Sequence, residues 1–146
     1  GQTVISGPVA SLGRVSERIT TRTNARLVTL SVKGAFHSPL MDRAAHALRT
    51  RLETITFEVP HTPLYMTTTA SRPGPGAIKD VLVRHMTETV RFEEMIRTMV
   101  DDGYTTFIEA GPGKVLTGLI RRIDRTVRTV SVQTQEDLIT LKGSII

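Results

Sequence analysis

The sequence contains no cysteine and no long apolar run. Without cysteine, disulfides and thiolate chemistry are both excluded, and a reducing compartment fits this composition. No apolar stretch approaches the ~20 residues that a membrane-spanning helix needs. The N-terminus also lacks the charged-then-apolar pattern and small-residue cleavage site of a secretory signal. We therefore expect a cytoplasmic globular protein of about one domain, with no membrane partner.

Aromatic residues are scarce, because the chain has only four Phe, two Tyr and no Trp. Its net charge is nevertheless +5, with a sequence pI near 10.2. A positive charge of this size is compatible with three kinds of binding partner: a nucleic acid, an acidic protein or an anionic substrate. Proteins that read single strands interleave aromatics with basic residues, and that pattern is missing here. We expect no nucleic-acid partner, although a basic nucleic-acid module, with affinity falling steeply as salt rises, remains the alternative to test.

Several catalytic and metal-binding motifs are also absent. No serine lies in a Gly-x-Ser-x-Gly nucleophile elbow. The four histidines show neither helical i, i+4 pairing nor an acidic cluster at ligand spacing, so we expect no metal site. They are His37, His46, His61 and His85.

The stretch from Gly111 to Lys114 (GPGK) resembles a phosphate loop only superficially. A P-loop requires glycine where Ile108 stands and Ser or Thr where Val115 stands. The pattern favours a tight strand-to-helix turn in which glycine supplies unusual backbone angles. A backbone wall beside an active site is the second interpretation.

Apolar periodicity predicts alternating strands and helices, and therefore an α/β fold with a partly parallel sheet. Short strands are predicted at residues 2–6, 26–32, 105–109 and 127–132. Helices are predicted after Gly7-Pro8, after Ser38-Pro39, and over residues 78–85, 92–100, 115–123 and 135–141.

His37 is the candidate catalytic residue. It precedes Ser38, a good N-cap, and Pro39, a good first helical residue, so its ring should lie near the positive end of a helix dipole. That field disfavours imidazolium and would keep the ring neutral, as a general base requires. A lone histidine at a helix start is more often an ordinary satisfied polar residue, and position alone does not decide between the two.

Four segments in order resemble malonyl-CoA:acyl carrier protein transacylases of bacterial fatty-acid synthesis and the acyltransferase domains of polyketide synthases. They are GQTVISG, LSVKGAFHSPLM, LVRHMTETVRFEEMI and FIEAGPGKVLTGLIRRI. The resemblance covers nearly the whole of this chain but only the C-terminal half of the enzymes in the family. It implies the C-terminal part of a hydrolase-like domain, residues 34–146, and part of a ferredoxin-like small subdomain, residues 1–33.

The resemblance implies transfer of malonyl from malonyl-CoA, through a serine ester, to the phosphopantetheine thiol of acyl carrier protein. No bound cofactor is implied, because coenzyme A arrives as the substrate thioester and phosphopantetheine arrives on the partner. His37 matches the histidine that activates the serine. His85, where bacterial members often have Gln, matches the residue whose main-chain carbonyl holds that histidine. Phe36 matches a position where a bulky ring goes with malonyl and Ser goes with methylmalonyl.

The resemblance also implies what this chain does not contain. The serine, the arginine for the malonyl carboxylate and the oxyanion loop belong to the family's N-terminal half, so that missing half is an expected partner. A fragment of this kind should expose strand edges and apolar helix faces, and should associate. The alternative from another class is a non-catalytic module that binds an acidic carrier protein through Arg121, Arg122 and Arg125.

Overall fold

The protein was analysed as a computed structural model that describes residues 2–145. Contacts divide it into two compact units, one formed by residues 2–90 and one beginning at Arg91. The elements of the first unit are α1 (Val9–Arg22), a 3₁₀ turn (Pro39–Met41), α2 (Asp42–Glu53) and α3 (Ile78–Arg84). Those of the second are α4 (Phe92–Asp101), β1 (Thr106–Ala110), α5 (Val115–Ile123), β2 (Arg128–Val132) and α6 (Gln135–Ile145).

The core of the first unit lies between α2 and α3. The apolar positions of α2 recur at helical spacing, so one stripe of the helix faces its neighbour. Ala45 and Leu52 of α2 are buried against Val83 of α3. A salt bridge from Arg49 to Asp80, 3.3 Å long, joins the same two helices at the surface. This packing fixes the end of α3, where the candidate site lies.

The two strands predicted near the N-terminus are not hydrogen-bonded strands in the structure. Residues 2–7 and 24–32 have no regular secondary structure, and α1 between them buries no residue. Alternating apolar residues show that a segment suits a sheet, but a strand also needs a partner, and none of the described residues supplies one. Apolar side chains there are exposed, with Val28 at 65% and Val4 at 61%.

The second unit is a small α/β arrangement. β1 and β2 pair in parallel, with Phe107 opposite Thr129 and Ile108 opposite Val130. A parallel pair needs a crossover, which α5 provides. Ile96 of α4, Phe107 of β1 and Ile120 of α5 form the buried cluster. The predicted strands at 105–109 and 127–132 are therefore confirmed, each within one residue.

The α/β class is also confirmed, while the hydrolase-like and ferredoxin-like assignments stay predictions. The division at residue 90 concerns contacts within this chain, and the predicted subdomains 1–33 and 34–146 are not tested by it. Within the described part of the chain, no helix combines the length and apolar character needed to cross a bilayer.

Candidate active site

His37 lies where the 3₁₀ turn begins and faces the carboxyl end of α3. Its ring nitrogen Nδ1 is 2.8 Å from the main-chain carbonyl oxygen of His85. Because a carbonyl oxygen only accepts hydrogen bonds, Nδ1 carries the proton of the neutral ring and Nε2 keeps a lone pair. The residue is exposed, and no hydrogen bond to Nε2 is formed within residues 2–145. The arrangement leaves Nε2 accessible to an incoming proton donor.

The backbone of His37 is held in an uncommon conformation. Its φ is +60°, in the left-handed region that costs a non-glycine residue about 1–2 kcal/mol. Its N–H donates to the carbonyl oxygen of Met86 at 3.0 Å, next to the carbonyl that binds its ring. Strained residues of this kind are concentrated at functional sites, because the surrounding structure must hold them in place.

His85 follows α3 as its C-cap residue, and its N–H donates to the carbonyl of Val81 at 2.9 Å. Its ring is half-buried, where the sequence indicated a buried position. The ring centroids of His85 and His37 are 5.0 Å apart and tilted by 40°. Burial lowers the pKa of His85, and the nearby His37 lowers the same pKa further. The His85 ring is therefore biased toward its neutral form.

Thr67 also contacts the site and was missed by the sequence analysis. Its hydroxyl Oγ1 lies 3.1 Å from Nε2 of His85. The run of threonines that contains Thr67 lies in a loop, and no spacing rule identifies which of them reaches a helix end. The contact depends on how that loop folds against α3.

Ser38 is not an N-cap through its side chain, although the sequence predicted a good one. Its hydroxyl donates to the carbonyl oxygen of Ala35 at 2.6 Å, and the residue is buried. The first turn is closed by the N–H of Met41 donating to the carbonyl of Ser38 at 3.0 Å. The hydroxyl is therefore engaged locally, although Ser38 is adjacent to His37.

Phe36 presents an exposed ring beside His37, with 45% of the residue accessible. A Cβ atom placed on Gly34 would lie 3.1 Å from that ring, closer than an ordinary van der Waals contact. Glycine at position 34 therefore lets the Phe36 ring fold back over the chain. The selectivity role that the sequence assigns to Phe36 remains a prediction.

In the second unit, the GPGK loop is a strand-to-helix turn. Gly111 and Gly113 have φ values of +136° and +95°, as the turn interpretation requires. The N–H of Gly113 donates to Oε1 of Gln133 at 2.8 Å. The N–H groups of Leu116 and Thr117 donate to the Glu109 carboxylate at 3.0 and 2.7 Å.

The carboxylate of Glu109 therefore occupies the position at the start of α5 that an anionic ligand would take. Hydrogen bonds from Thr117 and from the amides of the first turn lower the pKa of Glu109 and keep it ionised. The amides of Gly113, Leu116 and Thr117 already have acceptors within the chain, so they are not available to an anionic ligand. The interpretation of the loop as a backbone wall beside an active site stays a prediction.

Of the three arginines predicted for docking, Arg121 and Arg125 line a groove and Arg122 does not. An open groove of about 570 Å³ is lined by Arg121, Arg125, Val127, Arg128 and Thr129. The guanidinium of Arg121 donates to Oγ1 of Thr129 at 2.6 Å. Arg122 instead donates to the carbonyl of Gly118 in its own helix at 3.2 Å. The structure thus groups Arg128, rather than Arg122, with Arg121 and Arg125.

His46 and His61, the other two histidines, are exposed. Within the described part of the chain, no three His, Asp or Glu side chains form a group that could hold a metal ion.

Known proteins resemble this chain over nearly its whole length. The acyl transferase domain family matches residues 1–141. The malonyl CoA-acyl carrier protein transacylase of Bacillus subtilis is 37% identical over 139 residues, which are 94% of this chain and 44% of that protein. The crystal structure of MCAT from Streptococcus pneumoniae superposes with a TM-score of 0.89 at 35% identity, covering 94% of this chain and 45% of that one.

A third relative was solved with a partner. It is a malonyl-transacylase in complex with a type II PKS acyl-carrier protein, similar with a TM-score of 0.89 at 30% identity, again over 94% of this chain and 45% of the other. The chain therefore spans less than half the length of these relatives and matches their C-terminal half. Because the family match covers nearly all of the sequence, the chain belongs to the acyl transferase domain family.

Proposed function

We propose that this chain supplies the general base of a malonyl-CoA:acyl carrier protein S-malonyltransferase. His37 is the base, and the nucleophilic serine lies in a part of the enzyme outside these 146 residues. The observation that carries the proposal is the 2.8 Å contact between Nδ1 of His37 and the carbonyl of His85. It favours the tautomer whose exposed Nε2 can accept a proton.

The proposed reaction has two half-reactions. In the first, Nε2 of His37 accepts the proton of the serine hydroxyl while Oγ attacks the thioester carbonyl of malonyl-CoA. The imidazolium then returns the proton to the departing coenzyme A sulfur, which leaves malonyl-serine. In the second, the phosphopantetheine thiol gives its proton to Nε2, the sulfur attacks the ester, and the serine oxygen leaves with that proton.

A complementation experiment tests this function. The chain is mixed with the part of the Bacillus subtilis relative that it does not match, and transfer of labelled malonyl to acyl carrier protein is measured. We expect no transfer by the chain alone, transfer by the assembled mixture, and loss of about 10³-fold or more with His37→Gln. His46→Gln, which changes an exposed histidine in the same unit, is the matched control. An inert mixture of correctly folded and associated parts would contradict the proposal.

Phe36 is proposed to select malonyl over methylmalonyl. Its exposed ring directly precedes the base, so the extra methyl group of methylmalonyl would compete with the ring for space. A difference of one methyl group between two substrates changes their discrimination by about 1–3 kcal/mol, or roughly 10-fold to 200-fold in relative rate. Phe36→Ser in the same mixture should shift the ratio of the two rates toward methylmalonyl within that range. An unchanged ratio would remove this role from Phe36.

A second candidate function, carrier-protein docking without catalysis, is favoured by the groove that contains Arg121, Arg125 and Arg128. Three arginines that line one open groove suit an acidic protein surface. Replacing Arg125 and Arg128 by Ala should weaken carrier-protein binding. If transfer to a small thiol also survives His37→Gln, the docking function stands and the catalytic one fails.

A further inference from the structure

We propose that Thr67 is a positioning residue for His37 and that it acts through the imidazole of His85. This inference rests on the proposed function, because it concerns how the general base is held. The family resemblance gives His85 a task only through its main-chain carbonyl. The structure adds a contact made by the side chain of the same residue.

The three residues form a continuous chain of contacts. Thr67 Oγ1 lies 3.1 Å from Nε2 of His85, and the carbonyl oxygen of His85 lies 2.8 Å from Nδ1 of His37. The two imidazole rings also touch, with centroids 5.0 Å apart. A His85 ring released from Thr67 could rotate, and rotation at this separation would displace the ring of His37. The Thr67 hydroxyl therefore restrains the side of the His37 imidazole that contacts the His85 ring, while the backbone at the end of α3 holds Nδ1.

The loop that carries Thr67 is itself well constrained. The N–H of Met66 donates to the carbonyl of Ser71 at 3.1 Å, closing a tight turn around the threonines. The hydroxyl of Thr69 lies within 3.3 Å of the carbonyl oxygens of both residues. Ala70, within this turn, is buried and has a φ of +53°. Because the turn fixes its backbone, Thr67 can hold His85 instead of following it.

Two neighbouring threonines provide a matched pair of variants. Thr67→Val removes the hydroxyl that contacts His85 and keeps the side-chain shape, whereas Thr67→Ser keeps the hydroxyl. Thr68→Val makes the same chemical change one residue along, where the buried Oγ1 has no hydrogen-bond partner within residues 2–145. Any effect of removing a threonine hydroxyl from this loop in general should appear in both valine variants.

The direct readout is NMR of the chain labelled with ¹⁵N at histidine, which reports the tautomer and environment of each ring. We expect Thr67→Val to shift the Nε2 signal of His85 and to shift or broaden the Nδ1 signal of His37. Thr67→Ser and Thr68→Val should both resemble the wild type. If Thr67→Val changes the His37 signals no more than Thr68→Val does, the positioning role is overturned.

A second variant keeps the test decisive if Thr67→Val does not fold. His85→Phe retains a ring of similar size but removes the nitrogen that contacts Thr67, while the carbonyl at position 85 remains. It should disturb the His37 signals, and where Thr67→Val does fold, combining the two variants should cause no further change. Unchanged His37 signals in His85→Phe would contradict the proposal.

Activity separates this inference from the proposed function. In the complemented enzyme, Thr67→Val should lower kcat, by up to about 100-fold, with little change in the KM for malonyl-CoA, and Thr67→Ser should restore it. The NMR result needs no acyl transfer. If the NMR changes occur in a chain that is inert in every mixture, the proposed function fails while the positioning contact stands. If transfer is active and insensitive to Thr67→Val, the positioning role fails alone.

Discussion

The side chain of His37 is bound to the main chain of His85, with 2.8 Å between Nδ1 and the carbonyl oxygen. A contact of this kind does not depend on which side chain stands at position 85. It depends instead on the backbone at the end of α3, which the N–H bond from His85 to Val81 holds in place. Substitutions at position 85 can therefore change the electrostatics around the His37 ring while its hydrogen-bond acceptor remains.

The first prediction concerns pH and His85. Because its pKa is lowered in the folded chain, the folded state binds fewer protons than the unfolded state as pH falls below the ordinary histidine value of about 6.5. The contribution of His85 to stability is therefore complete above that pH and is lost as pH falls toward the folded-state pKa. His85→Gln should make the unfolding free energy less dependent on pH between 7 and 5. Denaturant unfolding across that range measures this, and equal slopes for both proteins would contradict it.

The second prediction separates backbone strain from chemistry at His37. Because its φ is +60°, glycine at this position relieves a strain that alanine retains. His37→Gly should be more stable than His37→Ala by about 1 kcal/mol, although neither variant has an imidazole. Urea unfolding of the two variants measures the difference. If alanine is as stable as glycine, the left-handed conformation does not persist in solution.

The third prediction concerns Thr68, whose buried hydroxyl has no hydrogen-bond partner in the described part of the chain. An unsatisfied buried hydroxyl costs about 1–3 kcal/mol, and replacing it with an apolar group of the same shape removes that penalty. Thr68→Val should therefore raise the unfolding free energy or leave it unchanged. Thermal unfolding tests this, with Thr68→Ser as the control that retains the hydroxyl. A lower stability for the valine variant would show that Thr68 has a partner in solution.

The fourth prediction concerns Glu109 at the start of α5. Its pKa is lowered, so its contribution to stability is present above the usual glutamate value of about 4.3 and is lost as pH falls through the folded-state pKa. Glu109→Gln should lower the melting temperature at pH 7 and should reduce its fall toward pH 3. Glu136→Gln, which changes an exposed carboxylate in the first turn of α6, is the control. Identical acid profiles for Glu109→Gln and the wild type would contradict the capping role.

Much of the fold follows from local patterns. The apolar periodicity of α2 and α4 and the alternation around Phe107 were sufficient to predict these elements. Each of them buries its apolar residues against other parts of this chain. The strand predictions at residues 2–6 and 26–32 were wrong. A strand is stabilised by hydrogen bonds to a second strand, and the alternation within one segment does not show whether a second strand is present.

The candidate site was predictable only in part. The residues around His37 made it a candidate only, and the resemblance implied both that it is a base and that its acceptor lies at position 85. Thr67 could not be found in this way, because its contact depends on a turn between Met66 and Ser71. The Glu109 carboxylate at the start of α5 was missed for the same reason, since it meets the amides of Leu116 and Thr117 only after the chain turns through the glycine loop.

Phe36 and His37 share one peptide bond, and the second of them is locked in a left-handed conformation. Under the proposed function, a substitution of Phe36 that admits a larger acyl unit therefore acts on a covalent neighbour of the proposed general base. Such Phe36 variants should transfer acyl groups more slowly in the complemented enzyme, and compensating changes at the carboxyl end of α3, which holds the His37 ring, should restore the rate.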